Sequence, residues 1–283
     1  MTTPTTPVTP ATAIAPTGTA RPFALTSALV WRLLHEGKRH LLAPLVPFVA
    51  VLAITVVPSL FDGDSVNSAG SFLSVASDYS DGGHGVTVGI LLTLGPGLAA
   101  IFNALSVTRA VQGLVGAEVT RGGFEELLGA PYTPRRIATA VLGFALVTAT
   151  GFWAAYVAIT ALATAAFAAA TSVHLHLTAS YVALVLLLPL LIAWTSGSLA
   201  LLVSLLFPRL TRIGAAASLS SGNLGNIVAM LPGLGSVLAL TYGLPSLGPA
   251  RLLLIAGGVT LLIACVSVAL VTVRFDPEAV LDS

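Results

Sequence analysis

The sequence predicts an all-α integral membrane protein with six transmembrane helices, preceded by a helix that lies at the membrane interface. Composition is the first reason: 56% of the 283 residues are hydrophobic and 8% are charged, whereas roughly a quarter are charged in soluble domains. The second reason is a series of six apolar stretches, each near the length of about 20 residues that crosses a hydrocarbon core of about 30 Å. Most charged residues fall between these stretches.

The segments follow in order along the chain. Residues 1–21 are rich in Thr, Pro and Ala, so we expect a disordered cytoplasmic tail. Residues 22–40 predict an amphipathic helix that is too short and too charged to span, and suits the membrane interface. Residues 41–275 hold the six-span domain, and residues 276–283 form a short cytoplasmic tail. The predicted spans are Leu41–Leu60, Val86–Thr108, Ile137 to roughly Thr160, Tyr181–Phe207, Ile213–Leu231 and Leu252–Val273.

Two apolar stretches contain more residues than a single membrane crossing needs. The third apolar run continues from Thr160 to Ala170, so we expect that helix to tilt or to end in a short external turn. After Leu231, Pro232 and Gly233 predict a break in the helix, followed by a short re-entrant or interfacial piece before the last span. The ends of the third and fifth spans therefore stay open.

The distribution of Lys and Arg predicts that both termini are cytoplasmic. Of the 12 Lys and Arg residues, all but Arg251 fall before the first span, between spans two and three, between spans four and five, or after the sixth. The segment 61–85 carries aspartates and no basic residue. Because short cytoplasmic segments hold the excess of Lys and Arg, we expect both termini to lie in the cytoplasm. We also expect this multi-pass protein to lie in the plasma membrane.

The chain carries no pattern typical of an enzyme, so we expect no catalytic residue, cofactor or metal in it. A phosphate-binding loop needs glycines followed by Lys and Ser or Thr, and the single lysine, Lys38, has no such context. Zinc needs about three converging ligands, but the 5 histidines are dispersed, with His84, His174 and His176 on the extracytoplasmic side. Basic residues occur singly or in pairs, which does not favour nucleic acid as a partner.

Small polar residues occur within the apolar stretches. In transmembrane helices they most often mark close helix packing, and no predicted span contains a histidine that could activate a serine. Some of them could instead line a path for a transported molecule. The candidates for that path are Asn103, Ser221, Asn223 and Asn226.

The segment from Glu118 to Ile137 is the one long interior run in which charged residues return. Pro131 and Pro134 keep a helix from running straight into the third span. A solvated loop that only joins two spans is the simpler interpretation, but exposed apolar side chains favour a small amphipathic helix that contacts a partner. The residues of that contact are Glu118, Arg121, Phe124, Glu125, Glu126, Leu127 and Leu128.

This segment resembles the cytoplasmic loop of the type-two ABC exporter permeases. That loop has an acidic residue, then Arg-Gly, then Glu-x-Leu-Leu, then Pro and basic residues that enter the third span. The matching residues are Glu118, Arg121, Gly122, Glu125, Leu127, Leu128, Pro131, Arg135 and Arg136. Gly123 stands where such permeases usually carry Thr. The layout of an interfacial helix, six spans and two cytoplasmic termini is similar as well.

The resemblance implies the membrane subunit of an ABC exporter, in which this segment is a coupling helix that rests in a groove of a separate ATPase subunit. Phe124, Leu127 and Leu128 would be its buried anchors, with the charged residues at the rim. ATP and Mg would bind the ATPase, and a second permease subunit, identical or related, would complete the assembly. The apolar spans suit an amphipathic small molecule, peptide or lipid as substrate.

Two other functions are compatible with the sequence. An ion- or proton-coupled carrier usually places charged groups inside the bilayer, and none falls within the six predicted spans. A non-transporting anchor or sensor subunit would bind a partner through the same segment and move nothing.

Overall fold

The computed structural model describes residues 24–36, 43–57, 70–81, 84–120, 133–206 and 224–274. About 93% of these residues are helical, which confirms the all-α architecture. The elements in chain order are α1 (Ala24–Glu36), α2 (Leu45–Val56), α3 (Gly70–Tyr79), β1 (Ser80–Asp81), α4 (Gly85–Thr120), α5 (Pro134–Thr171), β2 (His174–Leu175), α6 (Ala179–Leu206), α7 (Leu224–Leu238), a π-helical turn (Ala239–Gly243) and α8 (Leu244–Arg274).

Four stretches of helix are long and apolar enough to cross a membrane, and they make the chain a membrane-embedded protein. They are Gly85–Gly116, Arg135–Thr171, Ala179–Leu206 and Ile227–Arg274. The apolar helix α2 has 12 residues, about 18 Å at 1.5 Å per residue, and is shorter than the hydrocarbon core. The predicted second, third, fourth and sixth spans fall in these long stretches, and α2 covers part of the predicted first span. The predicted fifth span, Ile213–Leu231, lies mostly outside the described residues.

Helix α6 lies at the centre of the bundle and packs against α4, α5, α7 and α8. Its buried middle is a run of small residues from Thr195 to Ser198. A Cβ atom on Gly197 would lie 2.9 Å from Cγ1 of Val107 on α4 and 3.6 Å from Cβ of Ala145 on α5. Small side chains let helix backbones approach closely in a membrane, so we call Val107, Ala145 and Gly197 the three-helix junction.

Helices α4 and α6 are parallel, and α5 is antiparallel to both. Tyr181 near the start of α6 contacts Leu92 near the start of α4, while Gly197 and Val107 meet farther along both helices. In contrast, the early part of α4 meets the later part of α5, where Gly95 faces Thr160.

Helices α7 and α8 run in opposite directions, although only the π-helical turn Ala239–Gly243 lies between them. Gly97 of α4 contacts Val237, whereas Ile101 farther along α4 contacts Gly233, so α7 is antiparallel to α4. Leu191 of α6 contacts Gly257 of α8. Farther along both helices, Thr195 Oγ1 donates a hydrogen bond to the Thr260 carbonyl, so α8 is parallel to α6.

The reversal occurs at Gly248 and not at the predicted break after Leu231. Gly248 has φ of 73° and ψ of 165°, a backbone conformation that favours glycine, and Pro249 follows it. Pro232 lies inside α7 without ending it, because a proline removes one backbone N–H and neighbouring helices can compensate. The expected break at Pro232 and Gly233 was therefore wrong, and the irregular segment is the π-helical turn followed by Gly248.

One end of the bundle, which we call the ribbon end, carries β1 and β2. The two strands pair antiparallel, with Ser80 opposite Leu175 and Asp81 opposite His174. Helix α3 packs on the start of α4, where a side chain on Gly89 would overlap the backbone carbonyl of Phe72. The sequence predicted only a loop between residues 61 and 85, so α3 and the ribbon were missed.

The opposite end, which we call the α1 end, is where α1 packs on the start of α5. Thr26 Oγ1 donates a hydrogen bond to the Ala140 carbonyl at 3.2 Å, and Leu29 is buried. Trp31 and Leu34 lie on the exposed side of α1. Helix α1 thus has one side packed on α5 and one exposed side, and its place at the membrane interface stays a prediction.

The third apolar run forms one uninterrupted helix of 38 residues, α5. Ser172 follows it in the left-handed conformation, and the backbone N–H groups of Ser172 and Val173 both bond to the Ala168 carbonyl. These bonds satisfy the end of the helix. The extra apolar residues after Thr160 therefore lengthen the helix and do not form a separate turn.

Replacing Gly197 with Val tests whether the bundle depends on the three-helix junction. The added side chain overlaps Val107, so we expect a loss of about 1–3 kcal/mol of stability from overpacking. Thermal unfolding in detergent micelles measures the effect.

Gly151→Val is the matched control, because Gly151 is a helical glycine of α5 with nothing within 4 Å of its Cβ position. Equal melting temperatures for the two variants would contradict the role of the junction.

Candidate functional site

Most of the predicted coupling contact lies outside the described residues. Glu118 lies in the last turn of α4, and Arg121, Phe124, Glu125, Glu126, Leu127 and Leu128 fall in the undescribed segment 121–132. This segment joins α4 to α5 and so connects the two helices at the α1 end. The contact therefore stays a prediction. The end of α4 and the start of α5, on either side of the segment, lie at the α1 end.

The α4–α5 hairpin reaches well beyond the thickness of a membrane. With 36 and 38 residues, its helices are about 54 and 57 Å long at 1.5 Å per residue, against a hydrocarbon core of about 30 Å. The predicted second span ended at Thr108, but α4 continues from the exposed Arg109 to Thr120. The added part of α4 still packs in the apolar core, where Val111 and Val115 are buried, so α4 extends the bundle at the α1 end.

Of the four residues predicted to line a path, Asn103 is the one that the structure describes in full. It lies on α4 and is fully buried, at 0% exposure. Asn226 lies in the first turn of α7, whereas Ser221 and Asn223 fall outside the described residues. The structure therefore places one member of the predicted set in the core and does not describe how the others are arranged around it.

Asn103 belongs to a group of buried polar side chains next to the three-helix junction. It lies one helical turn before Val107 on α4, Thr148 lies one turn after Ala145 on α5, and Ser196 directly precedes Gly197 on α6. Residues three or four apart share a helix face, so Asn103 lies on the Val107 face of α4 and Thr148 on the Ala145 face of α5. Ser196 is adjacent to Gly197 and therefore lies about 100° away from it around α6. We call Asn103, Thr148 and Ser196 the polar junction residues.

The polar junction residues lack hydrogen-bond partners. Among the residues that the structure describes, neither amide atom of Asn103, nor Oγ1 of Thr148, nor Oγ of Ser196 is paired. Most other buried hydroxyls in the bundle do have partners, as when Thr160 Oγ1 donates to the Tyr156 carbonyl at 2.8 Å. Each unpaired buried polar group costs about 1–3 kcal/mol, so this concentration is the most unusual chemical feature of the membrane-embedded core.

Further unpaired polar atoms lie between the junction and the α1 end. They are Oγ1 of Thr108 and Nε2 of Gln112 on α4, and Oγ of Ser204 on α6. Because α4 and α6 are parallel, these side chains extend the polar junction residues toward the segment 121–132. None of them carries a charge, so the interior offers neutral donors and acceptors.

A second notable feature of α4 is the hydrogen bond that replaces one lost at Pro96. Proline has no N–H, so the carbonyl of Leu92 cannot receive its usual helical bond. Tyr181 Oη donates to this carbonyl at 2.6 Å. Trp153 Nε1 donates to the Leu186 carbonyl of α6 at 2.9 Å, but the carbonyl that Pro189 leaves without its helical bond is that of Val185. At Pro96, therefore, a side chain of a neighbouring helix takes the place of the backbone N–H that proline lacks.

Asp81 lies next to two histidines at the ribbon end. His174 lies opposite Asp81 in the ribbon, and His176 Nδ1 lies 3.5 Å from Asp81 Oδ2. The side chains of His176 and Asp81 are largely exposed, so their contact contributes little to stability. In the described part of the chain, no three metal-binding side chains are arranged to hold an ion.

Tyr79, the residue before the ribbon, connects it to the bundle. Its ring centroid lies 4.7 Å from that of Tyr181. Burial raises the pKa of the Tyr79 phenol, a hydrogen bond with Thr178 acts in the opposite direction, and the Asp78 carboxylate raises the pKa further. The phenol therefore stays neutral at physiological pH and acts as a packing group.

An apolar groove of about 370 Å³ lies between α2 and α5. Its lining consists of Val, Leu, Ile, Ala and Phe side chains, with Leu52 and Phe167 among them. Such a lining offers no hydrogen bond to a polar ligand. The polar junction residues are therefore the better candidate for a substrate contact.

Comparison with protein-family models, with curated proteins and with solved structures found no match to this chain. The function of the chain is therefore inferred from its residues and their arrangement.

The hydrogen bond between Tyr181 and Leu92 predicts a dependence on Pro96. Tyr181→Phe leaves the Leu92 carbonyl unpaired and should cost about 1–3 kcal/mol. In a Pro96→Ala background the alanine at position 96 supplies an N–H to that carbonyl, so the same substitution should cost much less. Thermal unfolding of the four proteins in detergent measures both costs.

Tyr156→Phe serves as the control, because Tyr156 Oη pairs with Ser106 Oγ at 2.8 Å and not with a carbonyl freed by proline. Its cost should be the same in both backgrounds. An unchanged cost of Tyr181→Phe after removal of Pro96 would show that the hydroxyl does not replace the missing N–H.

Proposed function

We propose that the chain is the transmembrane permease subunit of an ABC exporter that moves an amphipathic small molecule, peptide or lipid. The resemblance of the segment Glu118–Ile137 to the coupling loop of that family carries the proposal. A separate ATPase subunit binds ATP and Mg, and this chain supplies the path through the membrane. A second permease subunit, identical or related, completes the assembly in the plasma membrane.

The place of the segment in the fold supports this proposal. It closes the α4–α5 hairpin, whose helices are the two longest in the described part of the chain. The α4 residues from Arg109 to Thr120 project about 18 Å beyond the predicted span. Helices are stiff elements that carry displacement along their length, so a push at the segment would reach the bundle through α4 and α5.

Helix direction supports six crossings with both termini in the cytoplasm. Leu45 of α2 packs with the cluster that includes Leu29 of α1, and Val56 packs with the cluster at the ribbon end. Helix α2 therefore runs from the α1 end to the ribbon end, and α4, α5, α6, α7 and α8 then alternate. The basic residues Arg109, Arg135, Arg136 and Arg274 lie toward the α1 end, and this distribution favours a cytoplasmic position for that end.

The distribution of charge favours an ATP-driven subunit over an ion-coupled carrier. In the described parts of the long helices, charged residues lie toward the ends, whereas the buried middle holds neutral polar groups. Carriers that move protons or ions usually place carboxylates or basic groups at membrane depth.

Helix α4 is the element that would convey this energy. It contacts α6 and α5 at the three-helix junction, α7 at Gly97, and α6 again at Leu92 beside Pro96. A shift of α4 along its axis would therefore change the packing of Asn103, which lies between these contacts. This route relates the coupling segment to the candidate path through one helix.

Replacing both Leu127 and Leu128 with Asp tests the proposal. Two carboxylates in place of apolar anchors should prevent docking, because burying unpaired charge is strongly unfavourable. We expect loss of transport and of co-purification with an ATPase encoded beside this gene. Membrane insertion, measured by fractionation, should be unchanged.

Leu177→Asp is the matched control, since Leu177 is 41% exposed at the ribbon end, far from the coupling segment. This variant should retain both activities. Normal transport by the Leu127 and Leu128 double variant would refute the coupling assignment.

A further inference from the structure

The apolar groove between α2 and α5 is built from one face of each helix. Its lining residues recur with the helical period, from Val49 to Val57 on α2 and from Ile159 to Ala170 on α5. Both helices run from the α1 end to the ribbon end. The two faces therefore lie side by side along the whole groove.

The space in the groove arises from small side chains. At its start, Phe48 of α2 and Tyr156 of α5 are fully buried, and their ring centroids lie 4.8 Å apart. Beyond this contact, four of the lining residues are alanines: Ala53, Ala163, Ala166 and Ala170. They leave about 370 Å³ between the two helices, more than twice the roughly 150 Å³ of an apolar cavity that holds a benzene molecule.

The groove has a buried floor and an open rim. Leu52 and Phe167 are 4% and 3% exposed, whereas Val49 and Val57 are 46% and 49% exposed. A molecule in the groove therefore contacts protein on the floor and on two walls while it stays continuous with the surrounding bilayer. All the described residues that line the groove are apolar. The part of a ligand that lies in it thus carries neither charge nor hydrogen-bonding group, because burying either without a partner costs free energy.

The dimensions of the groove fit a hydrocarbon chain and not a helix. From Ile159 to Ala170 it extends about 17 Å along α5 at 1.5 Å per residue, close to the half-thickness of about 15 Å of one membrane leaflet. A helix is about 10 Å across with its side chains, so the same length of helix fills on the order of 1,000 Å³. A helix of a second copy or of another protein therefore does not enter the groove.

We propose that the groove between α2 and α5 binds one acyl chain of a phospholipid from the leaflet at the ribbon end. Lipid chains are as apolar as the side chains of the bundle, so packing decides where a lipid is retained. In the groove an acyl chain gains dispersion contacts on three sides, whereas on a convex helix surface it gains them on one. The site belongs to this chain alone, and its occupancy depends neither on an ATPase partner nor on transport.

The experiment counts the phospholipid molecules that the full-length chain binds. Delipidated protein in detergent micelles is titrated with dioleoyl phosphatidylcholine, and native mass spectrometry records the complexes. We expect saturable binding of one molecule. Glycerophosphocholine, which has the same headgroup without acyl chains, should not bind at the same concentrations, because the groove recognises the chain.

Two substitutions fill the groove from opposite walls, Ala166→Phe on α5 and Ala53→Phe on α2. Both alanines are exposed lining residues, so the added ring enters open space and the melting temperature should not fall. Each variant should bind phosphatidylcholine at least about tenfold more weakly, the change that loss of about ten carbon–carbon contacts represents. Ala165→Phe and Ala50→Phe are the matched controls, because these exposed alanines of the same helices do not line the groove.

Binding of one phosphatidylcholine that both groove variants weaken and both controls retain supports the site. Equal binding by groove variants and controls, no saturable binding, or equal binding of glycerophosphocholine overturns it. Loss of a dimer in the groove variants, with phosphatidylcholine binding unchanged, also overturns it and would assign this face to contact between two copies of the chain.

Discussion

Every polar group that enters the hydrocarbon core has to find its partner within the protein, and the rest of the structure depends on this constraint. It explains why the described chain is helical, since helices satisfy their own backbone. It also explains the hydrogen bond from Tyr181 to the Leu92 carbonyl, which Pro96 leaves without its helical N–H. Among the described residues, the buried side chains of Asn103, Thr148 and Ser196 do not meet the constraint.

Apolar length and the position of charge were sufficient to predict α1, α4, α6 and the later part of α8, because both are local properties of the chain. Contacts between distant residues were not predictable in this way. Helix α3 depends on the close packing of Phe72 on Gly89, and α7 continues through Pro232 because its neighbours hold it. Asn103 was a candidate from its residue type, but its complete burial without a hydrogen-bond partner among the described residues follows from the packing of distant helices on α4.

The proposed function involves two regions of the chain, and a different kind of observation supports each one. The coupling segment is supported by its sequence and by its place at the closed end of the α4–α5 hairpin. The polar junction residues are supported by burial and by unpaired hydrogen-bonding atoms. Helix α4 is continuous from the junction to the segment, so one rigid element relates an external source of energy to a neutral site in the membrane.

Transport by the purified chain and its ATPase partner in sealed proteoliposomes tests most directly whether ATP drives movement through this chain. We predict that movement of an amphipathic substrate requires ATP and Mg and proceeds without an ion gradient. Movement driven by a proton or sodium gradient in the absence of ATP would contradict it and would identify the chain as a secondary carrier.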